Sequence, residues 1–464
     1  MFLYTVQYLL KLKHCPLVFI RTSVTNISSF NGRQFFSSVN KYPFIMQIDT
    51  PEFKSIFTSS LQTLLKIFES NNYEIRIAGG AVRDILLGKS PKDVDFATTA
   101  TPDQMKKMFQ EEGIRMINNK GEKHGTITAR INNENFEVTT LRIDKVTDGR
   151  HAEVQFTTDW ELDANRRDLT INSMFLGTDG RVYDYFGGYE DLKKRRVVFV
   201  GDPSKRIQED YLRILRYFRF FGRISEDPDS HDEETINAIK NNVSGLGKIT
   251  GERIWLELSK IISGNYISSI VQRIISVGAA PYIGLPPTPN VGELISVWER
   301  SKNLNMHPIC LIVSLLANED EMLSFHKRCK LSSFERDLGL FLIYYRDQKL
   351  SDRPLKPFQA LMLKSDRNLS DTRSFILELF KYKCDLQLLH DFQAWEPPSF
   401  PVNGLVLKEN GVPSGKILGN VLKELKNIWI DKDFSIKKED LIEMIPGVLN
   451  KLENDKKRPT NQCK

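Results

Sequence analysis

Two aspartates separated by one valine, Asp93 and Asp95, are the residues whose type and spacing point most directly to chemistry. Alternate residues of a β-strand share a face, so the two carboxylates would project together. Adjacent carboxylates repel each other unless a cation lies between them, and oxygen ligands suit Mg²⁺. The same alternation in "NFEVTTL" directs Phe136 and Val138 inward and Glu137 outward. We therefore predict Asp93, Asp95 and Glu137 as catalytic carboxylates, with Asp93 and Asp95 binding Mg²⁺.

The segment before these aspartates changes how they are interpreted. An isolated D-x-D is more often a solvated strand end than a metal site. Here Gly79 and Gly80 follow an apolar strand and precede a helix, so backbone N–H groups can approach an anion. Arg83 adds a positive charge one turn later. A phosphate-binding turn beside a divalent cation indicates phosphoryl or nucleotidyl transfer.

A second informative segment reads "RIQEDYLRILRYFRFFGR" and predicts one helix with Asp210, Arg213 and Arg216 on a shared face. A carboxylate accepts from an exocyclic amino group, and a guanidinium donates to a ring nitrogen. An Asp/Arg pair therefore favours cytosine and adenine over uracil and guanine. The alternative is a basic amphipathic helix whose arginines are solvated or bind phosphate, but it does not account for the Glu209–Asp210 pair.

Four segments together are similar to the CCA-adding tRNA nucleotidyltransferases of bacteria and eukaryotes, which belong to the polymerase-β-like superfamily. They are "GGAVRD", "DVDFAT", "RRDLTINSMF" and "RIQEDYLRILRYFRF". The resemblance runs from about Ile75 to Gly222 and continues weakly into Thr250–Gly264. It implies that CMP, CMP and AMP are transferred from CTP and ATP to the tRNA 3′ end, without a nucleic-acid template and with release of pyrophosphate.

The same resemblance implies roles for individual residues. Asp93 and Asp95 would bind Mg²⁺, Arg167 would contact the nucleotide, and Asp168 and Asn172 would lie near the ribose. Thr147–Val154 resembles a flexible loop that assists the switch from C to A. The nucleotide-binding residues implied are Gly80, Arg83, Arg167, Asp168, Asn172, Asp210, Arg213, Arg216 and Arg219.

Two other functions stay open at this point. A poly(A) polymerase with the same type of head would share the metal site, although no extra basic C-terminal region is evident. A non-catalytic RNA-binding relative would be marked by loss of an aspartate from D-x-D, and neither is lost.

The elements that must position these residues divide the chain in two. Alternating strand patterns and amphipathic helices, including Ala81–Leu87 and Pro102–Glu112 with Thr101 as cap, run to about residue 199. Helical patterns follow from Pro203. We predict an α+β protein with a mixed α/β nucleotidyltransferase head and a small β-sheet, then a helical neck, body and tail. The predicted bounds are 46–199 for the head, 200–270 for the neck with the selecting helix, and 271–464 for the body and tail that bind the tRNA acceptor arm.

Composition limits the partners and the location. The chain has 464 residues, 41% hydrophobic content and a formal charge of +6. Five of these positive charges lie in the acid-free first 48 residues, so any nucleic-acid site elsewhere must be a local patch. Residues 1–45 are typical of a mitochondrial targeting presequence for the matrix, and a start at Met46 would give a cytosolic or nuclear form. We expect no membrane span, and the oligomeric state, monomer or dimer, stays open.

Two further patterns are interpreted as structural. Five scattered cysteines without a C-x-x-C pair predict free thiols in a reducing compartment. "GVPSGKIL" at Gly411–Leu418 departs from a phosphate loop in spacing and in Ile417, and it predicts the start of a tail helix.

Overall fold

The computed structural model describes residues 43–117, 119–147, 152–349, 351–365 and 368–457. The predicted presequence up to residue 42 lies outside the described residues. So do residues 148–151, the centre of the predicted flexible loop Thr147–Val154.

The head is built on a mixed sheet of eight strands, in the order β1-β10-β9-β2-β3-β6-β5-β4. Its strands are β1 Phe44–Gln47, β2 Ile75–Ala78, β3 Phe96–Thr98, β4 Arg115–Ile117, β5 Thr126–Ile131, β6 Glu134–Thr140, β9 Phe175–Leu176 and β10 Arg181–Tyr183. Within this sheet β3 and β6 pair in parallel, and the other neighbours pair antiparallel. A separate hairpin pairs β7 Arg142–Thr147 with β8 Ala152–Phe156.

Helices cover the sheet and make up nearly all of the rest of the described chain. They are α1 Pro51–Lys54, α2 Ser59–Ser70, α3 Gly80–Leu86, α4 Pro102–Glu111, α5 Trp160–Asn165, α6 Gly188–Lys193, α7 Pro203–Glu209, α8 Arg213–Ile224, α9 Glu233–Asn242, α10 Gly251–Ile262, α11 Ile267–Ser276, α12 Val291–Ser301, α13 Pro308–Ser314, α14 Glu319–Cys329, α15 Ser333–Tyr345, α16 Lys356–Lys364, α17 Leu369–Lys383, α18 Leu386–Ala394, α19 Gly404–Glu409, α20 Lys416–Asp431, α21 Lys438–Glu443 and α22 Ile445–Lys457. The predicted class, an α+β head followed by a helical region, is confirmed.

Local signals explain several of these elements. Thr101 caps α4 as predicted, and the structure adds a reciprocal capping box between the side chains of Thr101 and Gln104. The Gly- and Pro-rich sequence of Gly278–Asn290 connects α11 to α12, and α20 begins at Lys416 in the segment predicted to start a tail helix. Of the cysteines, Cys310, Cys329 and Cys384 are free thiols, while Cys15 and Cys463 lie outside the described residues.

Some predicted boundaries were wrong. The strand predicted for "DVDFAT" begins only at Phe96, and "NFEVTTLRI" is divided between β6 and β7 at Leu141. The sheet also starts earlier than predicted, because Phe44 in β1 pairs with Tyr183 in β10. This pairing extends the head sheet two residues ahead of Met46.

Three apolar cores hold the chain together. The largest runs from Phe68 and Phe109 under the sheet into the helices of the neck and body. A small one around Trp160 and Phe175 covers the other face of the sheet, and the tail has its own core around Trp429. Among the described residues, none of the helices combines the length and the hydrophobicity that a bilayer crossing requires.

Candidate active site

Asp95, the residue just before β3, and Glu137 on β6 lie side by side. In the parallel pair β3–β6, Phe96 is in register with Val138, so Asp95 and Glu137 each stand one residue earlier along their chains. Phe96 and Val138 are buried, whereas Asp95 and Glu137 are exposed on the opposite face. The inward and outward alternation predicted for "NFEVTTL" is therefore confirmed.

Asp93 completes a group of three neighbouring carboxylates. The pKa of Asp95 is raised above its ordinary value, first by partial burial and then by the negative charges of Glu137 and Asp93, while Arg167 opposes the rise. Asp93 lies in a bend rather than in a strand, although Ala78 N still donates to Asp95 O at 2.9 Å. The regular strand geometry assumed for D-x-D was therefore wrong at Asp93.

These carboxylates have the donor chemistry for a hard divalent cation. Their oxygens match its ligand preference, and a cation would offset the repulsion that raises the pKa of Asp95. In the part of the chain that the structure describes, no three His, Cys, Asp or Glu side chains converge closely enough to enclose a metal ion. Asp93 and Asp95 therefore fit as two of the ligands of a cation whose other ligands are oxygen atoms from elsewhere.

The turn from β2 into α3 is closed by Gly79 and Gly80. Gly79 has φ +66°, and a Cβ there would lie 3.0 Å from Nη1 of Arg167. Both facts require glycine, because an L side chain is strained at this φ and would displace the guanidinium. Gly80 opens α3, whose first N–H groups have no intrahelical acceptor. The glycine turn therefore lies against Arg167, whose charge also acts on Asp95.

A hydrogen-bonded chain joins four predicted nucleotide-binding residues. Arg83 Nη1 donates to Asn172 Oδ1 at 2.7 Å, and Asn172 Nδ2 donates to Asp168 Oδ1 at 3.4 Å. Arg216 Nε then donates to Asp168 Oδ2 at 2.6 Å. Burial alone would raise the pKa of Asp168, but the charge and hydrogen bond of Arg216 outweigh it and lower that pKa. The structure thus brings these four residues together, with Arg83 buried rather than projecting into solvent.

Phe220 in α8 is the aromatic centre of the same region. Three guanidinium groups lie over its ring, those of Arg83 at 4.9 Å, Arg216 at 5.5 Å and Arg219 at 4.3 Å. Arg219 also donates from Nη1 to Glu257 Oε1 at 2.9 Å, and both side chains are buried. Arg219 therefore binds α10 in this structure.

The predicted selecting helix is interrupted. Helix α7 ends at Glu209, Asp210 is its extended C-cap, and α8 begins only at Arg213. The prediction that Asp210 shares one continuous helix face with Arg213 was therefore wrong. Asp210 Oδ2 accepts from Arg253 Nη2 at 2.6 Å.

The side chain of Arg213 is held by partners other than the Asp210 carboxylate, although Arg213 N donates to Asp210 O at 2.9 Å. Its Nη1 donates to Glu209 Oε2 at 2.5 Å and its Nη2 to the backbone oxygen of Arg166 at 2.9 Å. Asp210 and Arg213, the two residues predicted to select the base, are thus both held by hydrogen bonds within the protein itself.

Sequence reasoning missed several residues of this region. Asp163 had a local signal, because it stands four residues before Arg167 on a helical segment. Glu209 was noticed only as the neighbour of Asp210. No local sequence signal indicated Arg253 or Glu257, because their partners lie far away in the sequence.

The fold and the site define a nucleotidyltransferase. The family model described as "Poly A polymerase head domain" matches residues 75–198, and the one described as "Probable RNA and SrmB- binding site of polymerase A" matches residues 231–286. A relative from Mus musculus named "CCA tRNA nucleotidyltransferase 1, mitochondrial" is 51% identical over 411 residues, which are 88% of this chain and 94% of the relative. The chain belongs to the CCA tRNA nucleotidyltransferase family, and it is an enzyme.

Solved structures show the same fold. The crystal structure of the Bacillus stearothermophilus CCA-adding enzyme in complex with CTP matches with a TM-score of 0.67 and 23% identity, covering 88% of this chain and 100% of that one. The Thermotoga maritima CCA-adding enzyme complexed with tRNA_CCA matches with a TM-score of 0.57 and 20% identity, covering 86% and 98%. The 51% identical Mus musculus relative confirms the family resemblance found in the sequence, and the solved structures confirm the fold.

Proposed function

We propose that this protein builds and repairs the 3′-terminal CCA of tRNA. It transfers CMP, CMP and AMP from CTP and ATP to the tRNA 3′ end without a nucleic-acid template and releases pyrophosphate. Membership of the family supports this reaction. The observation that carries it is the pair Asp95 and Glu137, side by side just before β3 and on β6, near Arg167 and the Gly79 turn.

In this proposal the carboxylates are the catalytic groups. Asp93 and Asp95 hold Mg²⁺, and Glu137 stands beside them. A cation held there would supply neutralisation of phosphate charge and activation of the terminal tRNA hydroxyl. The carboxylates keep the cation beside the glycine turn.

The nucleotide is bound by residues around that turn. Gly80 offers backbone N–H donors and Arg167 a positive charge to the triphosphate, while Asp168 and Asn172 lie near the ribose. Arg83, Arg216 and Arg219 hold these groups and the neck helix around Phe220. Helices of the neck, body and tail hold the acceptor arm of the tRNA.

Base selection is assigned to Asp210 and Arg213. Their carboxylate and guanidinium match the amino group and ring nitrogen that cytosine and adenine share. Because Arg253 and Glu209 hold these two side chains, an incoming base shares or replaces those hydrogen bonds.

The decisive experiment uses a tRNA transcript that ends at the discriminator base. It is incubated with CTP, ATP or both, with Mg²⁺ or with a chelator, and the products are sequenced. We expect CC with CTP alone, CCA with both nucleotides and then a stop, and no addition with the chelator. Unlimited A runs would instead identify a poly(A) polymerase, and no addition of any nucleotide would identify a non-catalytic RNA-binding relative.

We also propose that residues 1–45 direct the protein to the mitochondrial matrix, and that a start at Met46 yields a cytosolic or nuclear form. The name of the Mus musculus relative supports the first part. Residues 1–45 fused to a fluorescent protein should label mitochondria, and a diffuse cytosolic signal would contradict this. In whole cells, Met46→Ala should remove only the cytosolic or nuclear pool.

A further inference from the structure

Asp163 is a buried carboxylate at the centre of an arginine cluster. It lies on α5 and its side chain is only 1% exposed. Oδ2 accepts from Arg167 Nε at 3.2 Å and from Arg167 Nη2 at 3.0 Å. Oδ1 accepts from Arg166 Nε at 2.8 Å and from the backbone N of Arg142 at 3.1 Å. Both oxygens of one carboxylate are thus used to hold neighbouring groups.

These contacts fix the orientation of Arg167. With Nε and Nη2 bound to Asp163, the guanidinium lies over the Phe175 ring at 4.8 Å, and Nη1 comes to 3.0 Å from the Cβ position of Gly79. The hydrogen bond of Nη1 to Asn172 O is long, at 3.4 Å. Two hydrogen bonds from Nε and Nη2 to one oxygen of Asp163 fix the plane of the guanidinium, so Nη1 is the corner directed at the glycine turn.

The negative charge of Asp163 also stabilises the buried guanidinium of Arg167. Burial lowers the pKa of Arg167, and the charge of Asp163 opposes that change.

We propose that Asp163 is a positioning residue for nucleotide binding, which holds Arg167 so that Nη1 faces the Gly79 turn where the triphosphate binds. The inference rests on the function proposed above and adds a residue to that site. Without the carboxylate the guanidinium is free to rotate, and part of the binding free energy is lost to ordering it. The cost falls on nucleotide affinity, because Asp163 itself touches neither substrate.

The first test replaces Asp163 by its neutral isostere. We expect Asp163→Asn to raise KM and the equilibrium Kd for CTP and ATP by about tenfold, the loss of one charge-assisted interaction, with kcat and tRNA affinity changed by less than about threefold. The matched control is Glu378→Gln, a buried carboxylate of the body that accepts from His307 N at 2.8 Å and pairs with Lys381. It should lower the melting temperature without raising the nucleotide KM. An unchanged KM in Asp163→Asn, or an equal rise in the control, would overturn the proposal.

A double-mutant cycle separates positioning from simple loss of structure. In an Arg167→Gln background, Asp163→Asn should raise KM no further, because the group it positions is already gone. Fully additive effects would mean that Asp163 acts by another route. Arg167→Lys provides a second variant should Asp163→Asn fold poorly. It keeps the positive charge but loses the planar guanidinium with its fixed set of N–H donors. A native KM in Arg167→Lys would also contradict the proposal.

The two proposals fail in different ways. A wild-type protein that binds CTP in equilibrium dialysis but adds nothing to tRNA would refute the proposed function. The effect of Asp163→Asn on CTP binding would still decide the role of Asp163.

Discussion

The Nε atom of Arg216 in α8 donates a 2.6 Å hydrogen bond to Oδ2 of Asp168, a buried carboxylate of the head. Asp168 also accepts from Asn172, which accepts from Arg83 at the start of α3. One chain of hydrogen bonds therefore joins the glycine-turn helix of the head to the first long helix of the neck. Residues predicted to bind the nucleotide therefore also connect the head to the neck.

This ion pair should be strongly coupled. In a double-mutant cycle of Asp168→Ala and Arg216→Ala, we expect a coupling free energy of about 1–3 kcal/mol, because each single change leaves a poorly solvated charge. The matched pair Asp49 and Lys54 is only slightly longer, at 2.8 Å, but its side chains are 77% and 61% exposed. Its coupling should stay below about 1 kcal/mol. Urea unfolding of the four variants of each pair measures both values, and equal coupling would contradict the argument.

The carboxylates can be tested one at a time. Asp95→Asn should reduce nucleotide addition by at least about a thousandfold, since it removes a charge from the cation site. Glu137→Gln should also reduce activity, by a smaller factor. The control Asp103→Asn removes an exposed carboxylate of α4, 91% accessible, and should leave the rate native.

Single-turnover addition measures each rate, and circular dichroism and tRNA binding check that the fold and RNA affinity persist. A native rate in Asp95→Asn would remove it from the catalytic set.

Base selection should depend on Asp210 and Arg213. Asp210→Ala should lower the use of CTP and ATP. It should also reduce the preference for CTP over UTP by about 1–3 kcal/mol, the usual contribution of a pair of hydrogen bonds to one base edge. Arg213→Ala should do the same, whereas loss of a phosphate contact would weaken all four nucleotides alike. The control is Arg223→Ala, which removes an exposed arginine of α8, the helix that begins at Arg213. The measurement is addition of each nucleotide to tRNA ending at the discriminator base, and a native CTP-to-UTP ratio in both variants would place selection elsewhere.

His231 should make the stability depend on pH. Its ring stacks on Phe221 with centroids 3.7 Å apart, and its Nδ1 lies 2.9 Å from the Tyr217 hydroxyl. Burial, reinforced by the positive charge of Arg273, lowers the pKa of His231 to about 4. The native ring stays neutral while the unfolded chain takes up a proton near pH 6.5. Stability should therefore fall as the pH drops from about 6.5 to about 4, by on the order of 2 kcal/mol.

Melting temperatures at pH 7, 6 and 5 test this. His231→Gln should flatten the slope between these values even though the variant is less stable. His390→Gln, a change at an 80% exposed histidine, should leave the slope as in the native protein. An unchanged slope in His231→Gln would show that other groups set the pH dependence.

Local patterns predicted much of this protein. The helix cap at Thr101 and the in-and-out alternation around Glu137 are encoded within a few residues. Such features follow from the geometry of a single helix turn or strand, so spacing alone is enough to predict them. The family resemblance was carried by the same kind of short segments.

The tertiary structure decided which distant groups meet. Asp210 binds Arg253, 43 residues away, and Asp168 binds Arg216, 48 residues away, although each acid has other arginines closer in the sequence. The helix break at Asp210 also opposed a strong helical pattern. The physical reason is that ion pairing has little residue specificity of its own. Packing of α8 against α10 and of the strands in the sheet determines which charges are buried together.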